Sequence, residues 1–193
     1  MLNRESDIKG LLPQLIQSEK GAQRKLFLQY HSYVMAIALR YLKNRSDAEE
    51  LLNDVFLKVF TKIEKYKADQ SFKNWLAAIT VNTCIDKLRS QINIPVMLEI
   101  PLDFEPNGTK SNTWMMNEDL EILPIIQNLP SSYRIVFNLY VFEEYSHKEI
   151  AEKLNIPIGT SKSCLARAKK IIKDYYLKNP KYKKIYERRI STY

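Results

Sequence analysis

The sequence predicts an all-α protein with two small helical domains joined by an extended acidic linker. Apolar residues recur at spacings of three and four through most of the 193 residues, as they do in amphipathic helices. Only four glycines occur, which is few for an all-β protein. Between residues 93 and 115 the pattern is replaced by prolines and acidic residues over a length that exceeds ordinary loops within a domain. We therefore expect domains at residues 1–92 and 116–178, with a basic tail at residues 179–193.

The first two helices of the first domain are predicted from their apolar patterns. One amphipathic helix includes Ile8 and ends near Gly21, although Pro13 lowers its helix propensity unless the helix starts there. Residues 26–42 are apolar on most faces and rich in aromatic residues, which indicates a central core helix.

The third helix is predicted to start at a capping box formed by Ser46 and Glu49. Its apolar stripe consists of Ala48, Leu51, Leu52, Val55, Phe56, Val59 and Phe60. The outer surface carries Asp47, Glu49, Glu50, Asn53 and Asp54. Acidic residues near a helix N-terminus are favourable by about 0.3–1 kcal/mol each, which explains some of them locally. A patch of four carboxylates also suits a basic protein partner.

A lysine-rich stretch at residues 62–71 precedes the fourth helix, which we expect at residues 72–90 with Ser71 as its cap. Tyr66 is expected to be exposed in this stretch. Phe72, Leu76, Ile79 and Leu88 are expected to point inward. The opposite stripe is aromatic and polar and contains Trp75, Asn82, Asp86 and Arg89. Beside a loop of lysines and an aromatic residue, Asn82 is a candidate for reading a base edge.

The second domain is predicted to begin with a helical pattern at residues 117–128, which ends at Leu129 and Pro130. A buried helix at residues 131–142 follows. The capping box of Ser146 and Glu149 then starts a further helix.

A short turn and a last helix complete the second domain. Asn155, Pro157 and Gly159 form the turn around Ile156 and Ile158, which we expect to be buried. Thr160 is expected to cap the last helix, whose inward stripe is Ser161, Leu165, Ala168 and Ile172. At about 100° per residue the outer face holds Ser163, Ala166, Arg167 and Lys170, flanked by Lys162, Lys169 and Lys173. This arrangement predicts a helix-turn-helix, and an ordinary helical hairpin with a solvated lysine face is the alternative.

The formal charge of +8 is concentrated at the end of the chain. Residues 160–193 carry 11 basic and 2 acidic side chains, whereas residues 116–159 carry 3 and 7. The excess positive charge lies on and after the last predicted helix, as a surface that faces phosphates requires.

Other classes of protein receive little support from the composition. Cys84 and Cys164 form no metal-binding motif, and with His31 and His147 they give no plausible zinc set, so we expect no metal or cofactor. Such cysteine usage favours a reducing cytoplasm. The chain begins without an apolar signal core, and no uncharged run is long enough for membrane insertion. A phosphate-binding glycine loop and a nucleophile–base pairing are also missing, which argues against an enzyme.

Four sequence blocks together resemble the extracytoplasmic-function sigma factors, the compact two-domain class of bacterial RNA polymerase sigma factors. The blocks occur in the family's order: DAEELLNDVF at residues 47–56; FKNWL at residues 72–76 with Asn82 and DKLR at residues 86–89; LPSSYR at residues 129–134; and YSHKEIA at residues 145–151 with GTSKS at residues 159–163. The similarity spans roughly residues 21–176, so it covers both domains and the linker. The resemblance implies that the first domain is sigma region 2 and the second is sigma region 4.

The resemblance also implies partners and site residues. Core RNA polymerase would be bound through the clamp coiled coil and the flap of its large subunits, and an anti-sigma factor is a further partner that the family allows. Polymerase contacts would come from Asp47, Glu50, Asn53 and Asp54. The −10 element of promoter DNA would be read by Tyr66, Lys67, Ser71, Lys73, Asn74, Trp75, Asn82 and Arg89. The −35 element would be read by Thr160, Lys162, Ser163, Arg167 and Lys170.

The sequence departs from the family's pattern at three positions. Asn53 replaces a more common Gln and has a shorter reach. Ser161 replaces Val, and Cys164 replaces an Arg that would otherwise be a guanine-contacting candidate worth about 1–3 kcal/mol of discrimination. We therefore expect promoter specificity to depend more on Lys162, Ser163, Arg167 and Lys170, and to differ from that of relatives at Cys164.

The main alternative is a stand-alone helix-turn-helix transcription regulator. It explains residues 146–173 but leaves the blocks between residues 47 and 89 without a role. A sigma factor, unlike such a regulator, is expected to bind its promoter weakly without polymerase, because opening a dozen base-pair steps costs roughly 15 kcal/mol. Capture of one or two flipped bases involves only a few kcal/mol each.

Overall fold

The computed structural model describes residues 4–67, 69–91 and 122–178, and these residues form helices, turns and loops without a strand. The chain divides into two compact units, residues 1–88 and 89–193. The predicted linker at residues 93–115 and the basic tail at residues 179–193 lie outside the described residues, so the predicted domain boundaries stay predictions. The all-α fold class is confirmed.

The first unit is built from four α-helices and a short 3-10 turn within the described residues. They are α1 (Arg4–Ile16), α2 (Lys20–Tyr41), α3 (Arg45–Lys62), the 3-10 turn Ile63–Lys65, and α4 (Phe72–Gln91). Large apolar side chains fill the core between them, including Leu26, Tyr30, Val34, Leu51, Val55, Val59, Phe72, Leu76 and Ile85. The first helix runs through Pro13 and ends at Ile16. The prediction that it ends near Gly21 is wrong, because Gly21 already belongs to α2.

The start of α3 corrects a second prediction. Asn44, not Ser46, is the N-cap, and its side-chain oxygen accepts a hydrogen bond from the Asp47 backbone N–H at 2.8 Å. The Asn44 amide also donates to the Asp47 carboxylate at 2.9 Å. Asn and Ser are comparable N-cap residues, so the choice between two candidates two positions apart depends on the packing of the helix. Ser46 lies within the first turn of α3.

The second unit contains α5 (Leu123–Asn128), α6 (Ser131–Val141), α7 (His147–Leu154) and α8 (Ile158–Lys178). Its core is formed by Ile125, Ile126, Leu129, Ile135, Val136, Phe137, Leu139, Ile150, Leu165, Ala168 and Ile172. The predicted break at Leu129 and Pro130 is confirmed, since α5 ends directly before it and α6 begins directly after it.

A buried arginine joins α5 to α6. The Arg134 guanidinium donates from Nη1 to the carbonyl of Gln127 at 2.6 Å and to that of Leu129 at 3.5 Å. These carbonyls belong to the end of α5, where backbone acceptors have no partner within the helix. Burial lowers the pKa of Arg134 to about 10, so its charge persists at neutral pH. Arg134 therefore caps α5 from inside the core.

The turn between α7 and α8 fits the predicted helix-turn-helix, with corrections at the start of α8. The capping box of Ser146 and Glu149 is confirmed, and its hydrogen bonds from the Ser146 side chain and backbone lower the pKa of Glu149. Asn155 ends α7 in the left-handed region at φ 54°. The backbone N–H of Ser161 donates to the carbonyl of Pro157, so α8 starts earlier than predicted.

Three predictions about this turn are therefore wrong. Thr160 is not the cap of α8, because the helix already includes the two residues before it. Gly159 lies in the first turn of the helix and not in the connecting turn. Ile158, the first residue of α8, is 46% exposed and not buried.

Among the helices that the structure describes, none combines the length and the apolar character needed to cross a lipid bilayer.

Candidate nucleic-acid interface

The exposed face of α8 carries most of the side chains predicted to bind the −35 element. Ser161, Leu165, Ala168 and Ile172 are buried, as their spacing predicts. On the opposite side Lys162, Ser163, Arg167 and Lys170 are exposed. Thr160 is half-buried, and its carbonyl accepts a hydrogen bond from the Ser163 hydroxyl at 3.0 Å. We call Lys162, Ser163, Arg167 and Lys170 the outer face of α8.

Arg167 is held by a residue of another helix. Its Nη1 donates to the hydroxyl of Tyr133 on α6 at 3.1 Å. This hydrogen bond, together with the charge interaction with Tyr133, raises the pKa of Arg167. Tyr133 itself is only 4% exposed. The arginine is thus an exposed cation with a buried anchor.

Cys164 is buried and adds no side chain to the outer face of α8. Its side chain is 7% exposed and lies among the buried residues of α8. Burial raises the pKa of its thiol, against a smaller opposite effect of Arg167. The residue directly precedes Leu165 and lies beside the inward stripe of the helix. The expectation that promoter specificity differs from that of relatives at Cys164 stays a prediction.

A second group of side chains on this domain was not singled out from the sequence. His147, the first residue of α7, shares a hydrogen bond of 2.9 Å between its Nδ1 and the Ser161 hydroxyl. Its ring stacks on Tyr140 with centroids 4.8 Å apart, and Lys169 lies 5.9 Å from the centre of the Tyr140 ring. Burial, then Lys162, then Lys169 lower the pKa of His147. The polar Ser161 on an otherwise apolar stripe was the available signal for a polar neighbour.

The predicted −10 reader is divided between exposed and buried positions. Lys67, Lys73 and Asn74 are exposed at the loop and the start of α4, and Ser71 and Trp75 are half-buried. Asn82 and Arg89 are exposed farther along α4 on the side of Trp75, as the predicted stripe requires. Lys73 also lies 6.0 Å from the centre of the Tyr33 ring.

Tyr66 contradicts the prediction that it is exposed. It is 8% exposed, and its hydroxyl donates to the carbonyl of Gln70 at 2.6 Å. Its ring packs against Phe72 and Trp75, each with centroids 5.3 Å apart. An aromatic residue in a lysine-rich stretch can turn inward because α4 begins with two aromatic residues that accommodate it.

The acidic face of α3 is largely exposed and ends in an apolar residue. Glu50, Asn53 and Asp54 are exposed and Asp47 is half-buried. Leu57, three residues after Asp54, is 64% exposed and lies on the same side of the helix at about 100° per residue. We call these five residues the acidic face of α3. The sequence pattern left Leu57 out of the inward stripe, but the partner surface was predicted from the polar side chains alone.

Glu50 is fixed by an ion pair from α4. The Lys87 ammonium lies 2.6 Å from the Glu50 carboxylate and is itself largely shielded from solvent. The pair orients one carboxylate of the acidic face without removing it from the surface. Within the described ranges no cluster of three or more histidine, cysteine or acidic side chains has the geometry to hold a metal ion.

Comparison with protein families identifies the family to which each of the two units belongs. Residues 26–92 match the Sigma-70 region 2 family, and residues 119–172 match the Sigma-70 region 4 family. Together the two matched segments cover more than half of the chain, and they define a sigma factor of the two-region type.

Relatives of known function specify the subfamily. The chain is 28% identical to the ECF RNA polymerase sigma-E factor of Haemophilus influenzae over 86% of this chain and 93% of that protein. It is 28% identical to the ECF RNA polymerase sigma factor SigW of Bacillus subtilis over 88% of this chain and 96% of that protein. Among solved structures, the sigma factor RpoE of Bartonella quintana with the anti-sigma factor NepR aligns over 78% of this chain and 94% of that one, with 20% identity and a TM-score of 0.46. The two family matches and the two sigma factors of Haemophilus influenzae and Bacillus subtilis show that the chain belongs to the extracytoplasmic-function sigma factors.

Proposed function

We propose that this chain binds core RNA polymerase in the bacterial cytoplasm and directs promoter-specific transcription initiation, as a binding subunit and not as an enzyme. The observation that carries the proposal is the presence, in one chain, of an acidic docking face on region 2 and a basic helix-turn-helix face on region 4. A stand-alone regulator needs the second of these surfaces and has no use for the first.

The acidic face of α3 is the proposed contact with polymerase. Its carboxylates suit a basic partner such as the clamp coiled coil. Leu57 adds an exposed apolar side chain at the C-terminal end of this face, and apolar side chains that become buried on binding carry much of the binding energy of protein interfaces. The ion pair with Lys87 holds Glu50 in place before binding, which reduces the entropy that docking would cost.

The loop before α4 and the exposed side of α4 are the proposed reader of the −10 element. Lys67 and Lys73 would contact the backbone of the opened strand, while Asn82 offers an amide for a base edge. The half-buried ring of Trp75 offers a stacking surface. In this proposal Tyr66 supports the loop and Trp75 from below and does not itself touch DNA. Ser71, Asn74 and Arg89 complete the polar surface.

The free energies involved are consistent with promoter melting that is nucleated by the capture of one or two flipped bases. Disrupting stacking costs ~1.4 kcal/mol per step, so a bubble of a dozen steps exceeds what one or two captured bases return. The polymerase would supply the remaining free energy through contacts to the DNA backbone. The isolated chain would therefore bind duplex promoters weakly.

The outer face of α8 is the proposed reader of the −35 element. Lys162 and Lys170 would neutralise phosphates, whereas Arg167 can donate two parallel hydrogen bonds to a guanine. Ser163 adds a short polar contact, and Thr160 lies at the N-terminal end of this face.

Reconstitution with core polymerase tests the proposal. Transcription from a library with randomised −35 and −10 elements should start at defined positions only when the chain is added. Mapping the starts should return two conserved blocks separated by a fixed spacer. A stand-alone regulator would alter the amount of transcription by an existing holoenzyme and would not confer initiation on core polymerase.

A further inference from the structure

We propose that Tyr133 is a positioning residue that presents Arg167 to a single guanine of the −35 element. The inference rests on the proposed function and extends it to a residue that does not touch DNA. It assigns one sequence preference of the helix-turn-helix to a hydrogen bond between two helices.

Arg167 is the sole arginine of α8, so it is the one side chain of this helix with a planar fork of donors. Lys162 and Lys170 on the same face are point charges, which suit phosphates but do not select a base with two parallel hydrogen bonds. The bidentate readout available to this helix therefore depends on where the Arg167 guanidinium lies.

Tyr133 determines that position. Its hydroxyl accepts from Nη1 of Arg167 at 3.1 Å, and the tyrosine is anchored by burial on α6. The hydrogen bond engages Nη1 of the guanidinium, so the edge formed by Nε and Nη2 is the one presented to DNA. That edge carries two parallel donors, which match the O6 and N7 acceptors of guanine.

The hydrogen bond to Tyr133 lowers the entropy that the Arg167 side chain loses when it binds a base. An unrestrained arginine loses several rotamers when it binds a base, and this loss weakens the complex. A guanidinium that is already oriented loses less. The gain applies only to a base that fits the presented edge, so Tyr133 should contribute to discrimination more than to general affinity.

A promoter library tests the inference with the holoenzyme. Transcription from templates with randomised −35 and −10 elements gives the enrichment of each base for the wild-type chain, Tyr133→Phe, Arg167→Lys and the double variant. Tyr133→Phe keeps the ring and removes only the hydroxyl. We expect it to lower the enrichment of one guanine by about three- to tenfold. Arg167→Lys should remove that preference, and the double variant should match Arg167→Lys.

A matched control distinguishes positioning from folding. Tyr176→Phe removes another buried tyrosine hydroxyl from α8, and we expect it to leave the base preferences unchanged. An equal loss of transcription from all templates with Tyr133→Phe, or a loss that persists beside Arg167→Lys, would overturn the inference. If Arg167→Lys alters the preference and Tyr133→Phe does not, the inference fails while the proposed −35 reader stands. If the chain confers no initiation at all, the proposed function fails as well.

Discussion

Tyr66 packs against Trp75 with ring centroids 5.3 Å apart, while the Tyr66 hydroxyl donates to the carbonyl of Gln70. These contacts hold Tyr66 of the lysine-rich loop against the aromatic side chains at the start of α4. The loop that precedes the exposed Lys73 and Asn74 is thereby fixed from beneath. A preorganised loop loses less entropy when it captures a strand of DNA.

Truncation of Tyr66 should therefore act on stability. Tyr66→Ala removes a buried ring and should reduce the free energy of unfolding of the first unit by about 3 kcal/mol. Tyr66→Phe removes the hydrogen bond to Gln70 and should cost about 1 kcal/mol. Urea unfolding followed by circular dichroism measures both. A Tyr66→Ala protein with unchanged stability and defective melting would instead indicate that Tyr66 contacts DNA.

Leu57 should contribute to polymerase binding and little to folding. Because its side chain is 64% exposed, Leu57→Ala should change the unfolding free energy by less than about 0.5 kcal/mol. Burial of the leucine in an interface should make the variant bind core polymerase roughly 5- to 30-fold more weakly. Fluorescence anisotropy of labelled chain titrated with core polymerase gives both affinities.

Leu28→Ala provides the control for this measurement. Leu28 lies on α2 in the same unit and is 59% exposed, but it is not part of the acidic face of α3. It should leave the affinity unchanged. Equal affinity of the Leu57→Ala and wild-type chains would place the polymerase contact elsewhere.

Arg134 should be a stability residue of the second unit. Arg134→Ala leaves the carbonyls of Gln127 and Leu129 without this donor and opens a cavity, so the unfolding free energy should fall by about 2–4 kcal/mol. Arg134→Lys keeps the charge but not the fork and should lose part of that amount. Thermal unfolding followed by circular dichroism ranks the three proteins, and a stable Arg134→Ala variant would refute the capping role.

His147 should titrate below its usual pKa of 6.5 and make stability depend on pH. In the unfolded chain the imidazole binds its proton more readily, so the folded state gains stability as pH rises through the interval below about 6.5. Acidification through that interval removes this stabilisation. His31→Gln leaves His147 as the only histidine, so proton NMR follows one titration. An apparent pKa above 6.5 for that signal would contradict the environment described for Tyr140, Lys162 and Lys169.

Local rules in the sequence predicted much of the fold. The capping box of Ser146 and Glu149 and the inward stripe from Ser161 to Ile172 are confirmed, because both depend on residues of the same helix. The start of α3 was missed because Ser46 and Asn44 both satisfy the local rule for an N-cap. Only the contacts of the folded helix distinguish them.

The positions that were missed depend on neighbouring helices. Cys164 lies beside the buried stripe of α8 and is itself buried, although spacing along the helix alone did not assign it to the core. Tyr66 turns inward because Phe72 and Trp75 receive its ring. Leu57 is exposed on the same side of α3 as the acidic residues. The anchor between Tyr133 and Arg167 joins residues 34 positions apart, and spacing along one helix does not reveal it.

Initiation by core polymerase on a randomised promoter library, with and without the chain, tests the central claim most directly. We predict that the chain confers defined start sites preceded by conserved −35 and −10 blocks, and that the isolated chain binds the same duplexes weakly. Start sites that are identical with and without the chain, together with tight sequence-specific binding by the chain alone, would contradict the account.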